Sequence, residues 1–365
     1  MLRSALRPVR RAFRDLGVAW QTATMAPAPR SRGVVRVWYG HTRIPLPSAR
    51  AHGGAVKLQS LARAFPNTPR RFTVLYLVSS SLPHGALRLA EAAIGCGAKL
   101  VVNQNGVGYP GWNREGWRQF NARRAALLAH ADFAFYQSEF CRISADTFLG
   151  PRNGPSDILY NAVDTRLFHP VAQRPATRPP TLLMGGSHEQ RYRIEAALQT
   201  VARLPNVRLI IAGRLAWTRP QLAFADTRAR IEALGVGNRV QLLPAYAQEE
   251  APDVFRLADV LLHTQYNDAC PTVVLEAMAC GLPVVYSASG GVPELVGADA
   301  GVAVVAERRW DAPVVPDPAQ LADAVVEALD RRAQLSQAAR QRVIERFDLL
   351  PWLRRHQQVF EQLVS

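Results

Sequence analysis

The strongest constraint on the fold is an alternation that runs through the chain from residue 33 onward. Short runs rich in β-branched and aromatic residues take turns with longer stretches of helical periodicity. The runs at 34–39, 73–78, 99–102, 133–136 and 157–160 predict strands, with helices between them near 53–64, 87–93 and 121–130 and through 148. Strands separated by helices of this length pair parallel through crossovers. The pattern stops at 169–180, which holds four prolines, two arginines and no periodicity, the composition of a linker. It then resumes, with strands predicted at 181–184, 207–212, 240–243, 260–263 and 284–286. The helices there fall near 194–204, 231–234, 253–258, 272–280, 319–346 and 351–363. The reading is α/β, with two doubly wound units facing a cleft: 33–170 and 181–346, joined by a linker at 171–180. A basic tail (1–32) precedes them, and a C-terminal helix (347–365) is placed to pack back on the first unit. Ligands of open parallel sheets bind outside the carboxyl ends of the strands, so the cleft between the units is the expected site.

Composition removes other classes. With 365 residues, 48% hydrophobic and 20% charged, the chain can bury two cores of ordinary size. No apolar run approaches the roughly 18 residues that span a bilayer. Cys96, Cys141, Cys270 and Cys280 are far apart and form no C-x-x-C pair, which suits buried thiols in a reducing, cytoplasmic compartment. The net charge of +15 comes from 44 basic against 29 acidic residues, and only Lys57 and Lys99 are lysines. Such a surface suits anionic partners. Seven of the arginines and one acid, Asp15, fall within residues 1–32. There Leu2, Leu6, Val9, Phe13, Leu16 and Trp20 recur every three or four residues, beside Arg3, Arg7, Arg10 and Arg14. This is the stripe of a helix lying on an anionic membrane surface, at the inner membrane face. Pro8 interrupts it, and a disordered tail, or translation starting at Met25, fits the same residues. The arginines carry no RNA-binding motif or interleaved aromatic stripe, so nucleic acid is not an expected partner. The eight histidines show no metal-ligand spacing.

The chemistry concentrates in residues 266–283, YNDACPTVVLEAMACGLP. Pro271 suits a first helical position, Gly281 a left-handed helix end, and Pro283 stops continuation. The N-terminus of that helix, with free N–H groups and a positive dipole end, is an anion site. Asp268 precedes the helix and Glu276 lies about a turn inside it. A carboxylate accepts two hydrogen bonds from a vicinal diol. An anion site between two diol acceptors fits a nucleotide sugar, with diphosphate in the middle, ribose on one side and hexose on the other.

This segment resembles the nucleotide-sugar signature of retaining glycosyltransferases of family four, the glycosyl transferases group 1, which have a GT-B fold. The family pattern is an acid, seven residues, then Glu before Ala-Met-Ala-x-Gly-x-Pro-Val. Here it reads Asp268, Glu276 and Ala277 through Val284. Ser289-Gly290-Gly291-Val292-Pro293-Glu294-Leu295-Val296 is similar to the family's Gly-Gly-x-Pro-Glu loop. Tyr160-Asn161-Ala162-Val163-Asp164 is similar to its segment before the linker, and His52-Gly53-Gly54-Ala55 to its first glycine loop. The resemblance implies a metal-independent, cofactor-free hexosyl- or related transferase. Its donor is a UDP- or GDP-sugar and its acceptor a saccharide or lipid-linked saccharide, in surface polysaccharide or glycolipid synthesis. It implies Glu276 on the ribose and Asp268 on the transferred sugar. It puts Pro271, Thr272 and Val273 at sugar and diphosphate, and Gly53, Gly54, Gly186 and Ser187 around the donor.

The sequence departs from that pattern at several places. The family usually has Glu where Asp268 stands, about 1.5 Å longer in reach. Its first C-terminal loop usually offers Arg and then Lys. Here Gly186 stands at the Arg position and Arg191 at the Lys position, where a guanidinium still gives a bidentate phosphate contact. His188 and Arg191 also suit plain exposed positions. On the acceptor side, Gln104, Asn105 and Trp112 suit carbohydrate, or a loop packed on its own domain. Gly186 keeps a non-catalytic GT-B nucleotide-sugar or polysaccharide-binding scaffold open as an alternative. A GT-B sugar-nucleotide epimerase is another, although the Ala-Met-Ala-x-Gly helix speaks against it.

Overall fold

The computed structural model describes residues 2–28, 33–46, 48–49, 53–170 and 178–365. Its first sheet contains β1 (Val37–Trp38), β2 (Val74–Val78), β3 (Lys99–Gln104), β4 (Phe133–Tyr136) and β5 (Ser156–Ile158). These pair in the order β1-β2-β3-β4-β5, all parallel. The second half supplies β6 (Thr181–Met184), β7 (Ser187–His188), β8 (Arg208–Ala212), β9 (Arg214–Leu215), β10 (Val240–Leu243), β11 (Val260–His263), β12 (Val284–Ala288) and β13 (Gly301–Val305). Six of them form a parallel sheet in the order β10-β8-β6-β11-β12-β13. This second sheet starts in the middle, grows to one side and then reverses, which is the doubly wound order. Among the described residues the first sheet steps in one direction only.

Period-two patterning builds both faces of the first sheet. Leu75 and Leu77 of β2 point to a core shared with α3 (Ala86–Gly95) and with the helices Trp117–His130 and Glu139–Phe148. Val74, Tyr76 and Val78 point the other way, toward α2 (Gly53–Ala64) and the C-terminal helix Leu349–Val364. The C-terminal helix therefore crosses back and seals the first sheet with Trp352, Val359 and Phe360. Between them His356 is fully buried, 2.9 Å from both the Tyr76 hydroxyl and the Trp352 carbonyl. The carbonyl can only accept, so Nδ1 carries the proton and Nε2 accepts from Tyr76. Burial pushes the imidazole down to about 3.

Two strand features lie outside the sequence expectation. The edge strand β13, Gly-Val-Ala-Val-Val, has only Val304 buried, and β7 with β9 forms a two-stranded ladder beside the main sheet. The expected strand at 34–39 pairs only at Val37 and Trp38. The expected linker at 171–180 falls mostly on 171–177, outside the described residues, as do His52 and residues 29–32 of the tail.

The N-terminal backbone runs as one helix, α1 (Leu2–Ala23), through Pro8. It lies on α3: Val18 is buried there, and Asp15 sits 2.7 Å from His84. Beyond the helix, the Ala28 N–H donates to the Cys96 carbonyl at 2.8 Å. Phe13, Leu16 and Trp20 of the expected stripe are left 71%, 66% and 67% exposed. The side chains of residues 2–11 lie outside the described residues. Among the described residues no helix is long and apolar enough to cross a membrane.

Candidate active site

The second sheet reverses direction between β6 and β11, and a crevice opens where the loops that follow these two strands diverge. The loop after β6 holds Gly185 and Gly186. The loop after β11 runs into the helix Thr272–Ala279. Pro271 enters that helix in extended conformation, and Gly281 leaves it at φ +75°. A Cβ on Gly185 would stand 2.9 Å from Val273 Cγ2 and 3.2 Å from the Tyr246 hydroxyl. Glycine there lets the two loops close on each other beside the helix N-terminus, where the first N–H groups of a helix have no partner within it.

Glu276 sits in this helix, almost fully buried. Its Oε1 accepts from Gln248 Nε2 at 2.7 Å. Burial pushes the carboxyl up to about 7, and the Gln248 bond opposes the shift. Asp268 lies in the preceding loop, its Oδ2 3.3 Å from Nε2 of the buried His263 at the end of β11. Burial holds the His263 pKa below its ordinary value, against the pull of Asp268. Arg193, also buried, donates to the Ser187 carbonyl at 2.9 Å; burial lowers its pKa, against the pull of Asp268.

The Asp268 loop is braced by the glycine pair that follows β12. Asn267 takes a left-handed φ of 51°, and its N–H donates to Ser289 Oγ at 2.9 Å. The Gly291 N–H donates to the Asp268 carbonyl at 2.8 Å. A Cβ on Gly290 would stand 2.3 Å from that carbonyl oxygen, and one on Gly291 would stand 2.0 Å from the Ala269 carbonyl oxygen. Only glycines allow this contact of backbone on backbone.

The two halves meet over a cavity of 340 Å³. The first half contributes Gly53, Gly54, Asn105 and Trp112 to its lining, and the second contributes Asp268, Pro271 and Thr272. Glu276, Val273, Gly186 and Ser187 do not line it. They belong to the β6 side of the same helix N-terminus. Gly54 has a packing reason as well, because a Cβ there would meet Ser80 Oγ at 2.5 Å. Gln104 is buried with its amide turned to the Asn105 and Gly106 carbonyls, so its side chain is not presented to the cleft. His188, expected as an exposed loop residue, is buried instead, at 3.3 Å from the Ala212 carbonyl. Burial pushes it down to about 3. Arg191 is not brought to the cavity. Its guanidinium makes a bidentate pair with Asp226 at 2.6 and 2.9 Å on an exposed face.

Side chains reaching across the cleft hold the halves together. The Glu294 carboxylate accepts from the Glu139 and Phe140 N–H groups at 2.8 and 2.9 Å, and from the Tyr160 hydroxyl at 3.0 Å. It thus caps the helix Glu139–Phe148 of the first half from the second. Ser138 Oγ donates to the Ala269 carbonyl at 2.7 Å, and the Trp310 ring stacks on Phe140 at 5.3 Å. Sequence reasoning did not single out Lys57, Arg124, His263 or Arg193, which all stand at or behind this site. The one available signal was that Lys57 is one of two lysines and lies three residues after Gly54.

Comparison with known proteins bears on the same residues. Residues 166–343 match the glycosyl transferases group 1 family. A D-inositol 3-phosphate glycosyltransferase of Mycolicibacterium smegmatis is 32% identical over 192 residues, 50% of this chain and 42% of that protein. The enzyme of the same name from Mycobacterium marinum is 32% identical over 148 residues, 38% of this chain and 31% of that protein. The chain thus spans less than half the length of these curated relatives. Among solved structures, sucrose-phosphate synthase from Thermosynechococcus elongatus superposes with a TM-score of 0.65 at 19% identity, covering 80% of this chain and 74% of that one. Anabaena HepE in complex with UDP-glucose superposes with a TM-score of 0.64 at 19% identity, covering 84% and 82%. The fold is GT-B.

Proposed function

We propose that this chain, whose C-terminal half belongs to the glycosyl transferases group 1 family, is a retaining glycosyltransferase that moves a sugar from a nucleotide sugar to a saccharide or lipid-linked acceptor. The observation that carries the reading is one helix N-terminus at the switch point, with Asp268 in the loop before it and Glu276 in the helix itself. In this reading Glu276 accepts the ribose diol through the oxygen that Gln248 leaves free. The diphosphate sits at the N–H groups of Thr272 and Val273, beside Gly186 and Ser187. Asp268, held by His263, accepts hydroxyls of the transferred sugar at the cavity. As the glycosidic bond to the diphosphate breaks, negative charge gathers on the leaving oxygens. The helix dipole and prearranged N–H groups lower the energy of that charge. HepE is described in complexes with UDP, glucose and UDP-glucose, which supports a UDP-sugar here. The exposed Phe13, Leu16 and Trp20 on α1 support docking on an anionic membrane, on its cytoplasmic face.

A donor screen tests the function: UDP-, GDP- and ADP-sugars, read by thermal shift and by hydrolysis, on the wild type and Glu276→Ala. The reading expects one donor to stabilise the wild type and to be slowly hydrolysed by it alone. No response from any nucleotide sugar by folded protein sinks it. Binding without turnover for any acceptor supports the scaffold reading. That reading draws on Gly186, which offers no cation, and on Arg191, which is spent on Asp226.

A further inference from the structure

We infer that the first half of the cleft is a phosphate-binding wall, formed by Lys57 and Arg124, and that the acceptor carries a phosphate group. This rests on the transferase reading and specifies the class of its acceptor. The cavity that holds Asp268 is lined on the opposite wall by both Lys57 and Arg124. Among the described residues neither has a carboxylate partner. The Lys57 side chain comes from the first turns of the helix Gly53–Ala64 and is nine-tenths buried. Its ammonium donates to Asn103 Oδ1 at 2.7 Å, an oxygen it shares with Gln137 Nε2 at 2.9 Å. Arg124 is half-buried and stacked 3.4 Å above the Phe120 ring. It donates to the Phe120 and Ser79 carbonyls, at 2.7 and 2.9 Å, and among the described residues its buried Nε has no partner.

A buried cation satisfied only by neutral groups is expensive, and structural lysines usually avoid this by pairing. The Cys141 and Cys270 thiols, the acidic groups that act on Lys57, are themselves held protonated by burial and supply no counter-charge. The same burial pushes Lys57 down to about 7, so an anion arriving in the cavity would restore its full charge. Among the described residues Asp268 is the only carboxylate lining the cavity, and it sits beside His263. Two unpaired cations against one carboxylate leave the cavity short of negative charge. In the transferase reading the donor diphosphate is held at the N-terminus of the helix Thr272–Ala279, whose Pro271 and Thr272 line the opposite wall of the same cavity. The anion that Lys57 and Arg124 await therefore belongs to the acceptor, whose uncharged part meets the amide of Asn105 and the ring of Trp112. A phosphorylated polyol or sugar and the phosphate headgroup of a lipid share this chemistry.

The test is calorimetric titration of the full chain with paired probes: glucose 6-phosphate against glucose, glycerol 3-phosphate against glycerol, and dihexanoyl phosphatidylglycerol for the lipid source. Each is run with and without saturating UDP, which fills the donor site first. The wild type is expected to bind one phosphorylated probe at least tenfold more tightly than its neutral partner, and which probe does so identifies the source. Lys57→Met and Arg124→Met are each expected to remove that preference while changing UDP affinity less than twofold. No preference in the wild type overturns the inference, as does a preference that survives both substitutions. Loss of UDP affinity with the preference kept also overturns it, because the cations would then serve the donor. If Lys57→Met does not fold, the half-buried Arg124→Met decides alone. If UDP does not bind at all, the transferase reading fails, and the titrations without UDP still decide whether the wall binds phosphate.

Discussion

Replacing Glu276 with Gln should make the protein more stable and a poorer binder of nucleotide, and both effects follow from one buried carboxylate. Its pKa moves from 4.5 to about 7, chiefly by burial. The sign is that of a raised acid. The unfolded carboxyl gives up its proton near 4.5 while the folded one keeps it to about 7. Stability is therefore lost as pH rises between those values and stays lost above them. A shift of this size corresponds to about 3 kcal/mol. Glutamine keeps the shape, can still accept from Gln248 at the Oε1 position, and does not titrate. Urea unfolding at pH 8.5 should find Glu276→Gln up to about 3 kcal/mol more stable than wild type, with no gain near pH 4.5.

Binding should move the other way. The carboxylate oxygen that Gln248 leaves free accepts charge-assisted hydrogen bonds from the ribose diol, whereas in the variant an amide NH2, which cannot accept, stands in its place. The expected loss is about 2–4 kcal/mol, or roughly 30- to 700-fold in UDP affinity. The wild type should also bind UDP about tenfold more weakly per pH unit below 7, where Glu276 is protonated, and the variant should show no such slope. Calorimetry at pH 6.0, 7.0 and 8.5 reads both effects. A variant less stable than wild type at pH 8.5 would refute the burial argument. Unchanged UDP affinity would refute the assignment of the ribose to Glu276.

Other outcomes follow from neighbouring groups. His188 and His356 are buried, and burial pushes each down to about 3. The unfolded chain takes up those protons below about 6.5, so stability should fall as pH drops, by about 2 kcal/mol for each histidine by pH 5. Denaturation of His356→Phe should show a shallower acid slope than wild type, and an equal slope would remove His356 as a cause. His263→Phe keeps volume but releases Asp268 from its 3.3 Å neighbour. With a working donor, kcat should fall about tenfold while KM for the donor holds, the mark of a positioning residue. A raised KM at constant kcat would count against that role. For α1, the full chain should pellet with anionic vesicles and a chain starting at Met25 should not. Equal pelleting would end the membrane reading.

What the sequence disclosed and what it hid divide along one physical line. Local chemistry was legible. Pro271, Gly281 and Pro283 bracket one helix within thirteen residues, and short apolar runs marked β6, β8 and β11 because strands buried on both faces need them. Asp268 and Glu276 are local in the same sense, one in the loop that leads into this helix and one within it. Groups whose partner is distant in sequence were not. Arg191 has the right spacing for a phosphate ligand, yet Asp226, 35 residues on, holds it in a bidentate pair. Lys57 reads as an ordinary helical charge until Asn103 and Gln137, from two other segments, are seen to enclose it. The first helix adds a case in which periodicity pointed to one face and packing used another. Phe13, Leu16 and Trp20 form the regular stripe and remain exposed, while Val18, outside the stripe, fits against Gly85 of α3's leading turn at φ +68°. A residue there with a Cβ would press on Val18, at 2.8 Å from its Cγ1. The apolar stripe is therefore left over once the helix has docked, and a helix that docks by one face and leaves apolar side chains on another has a surface still to cover.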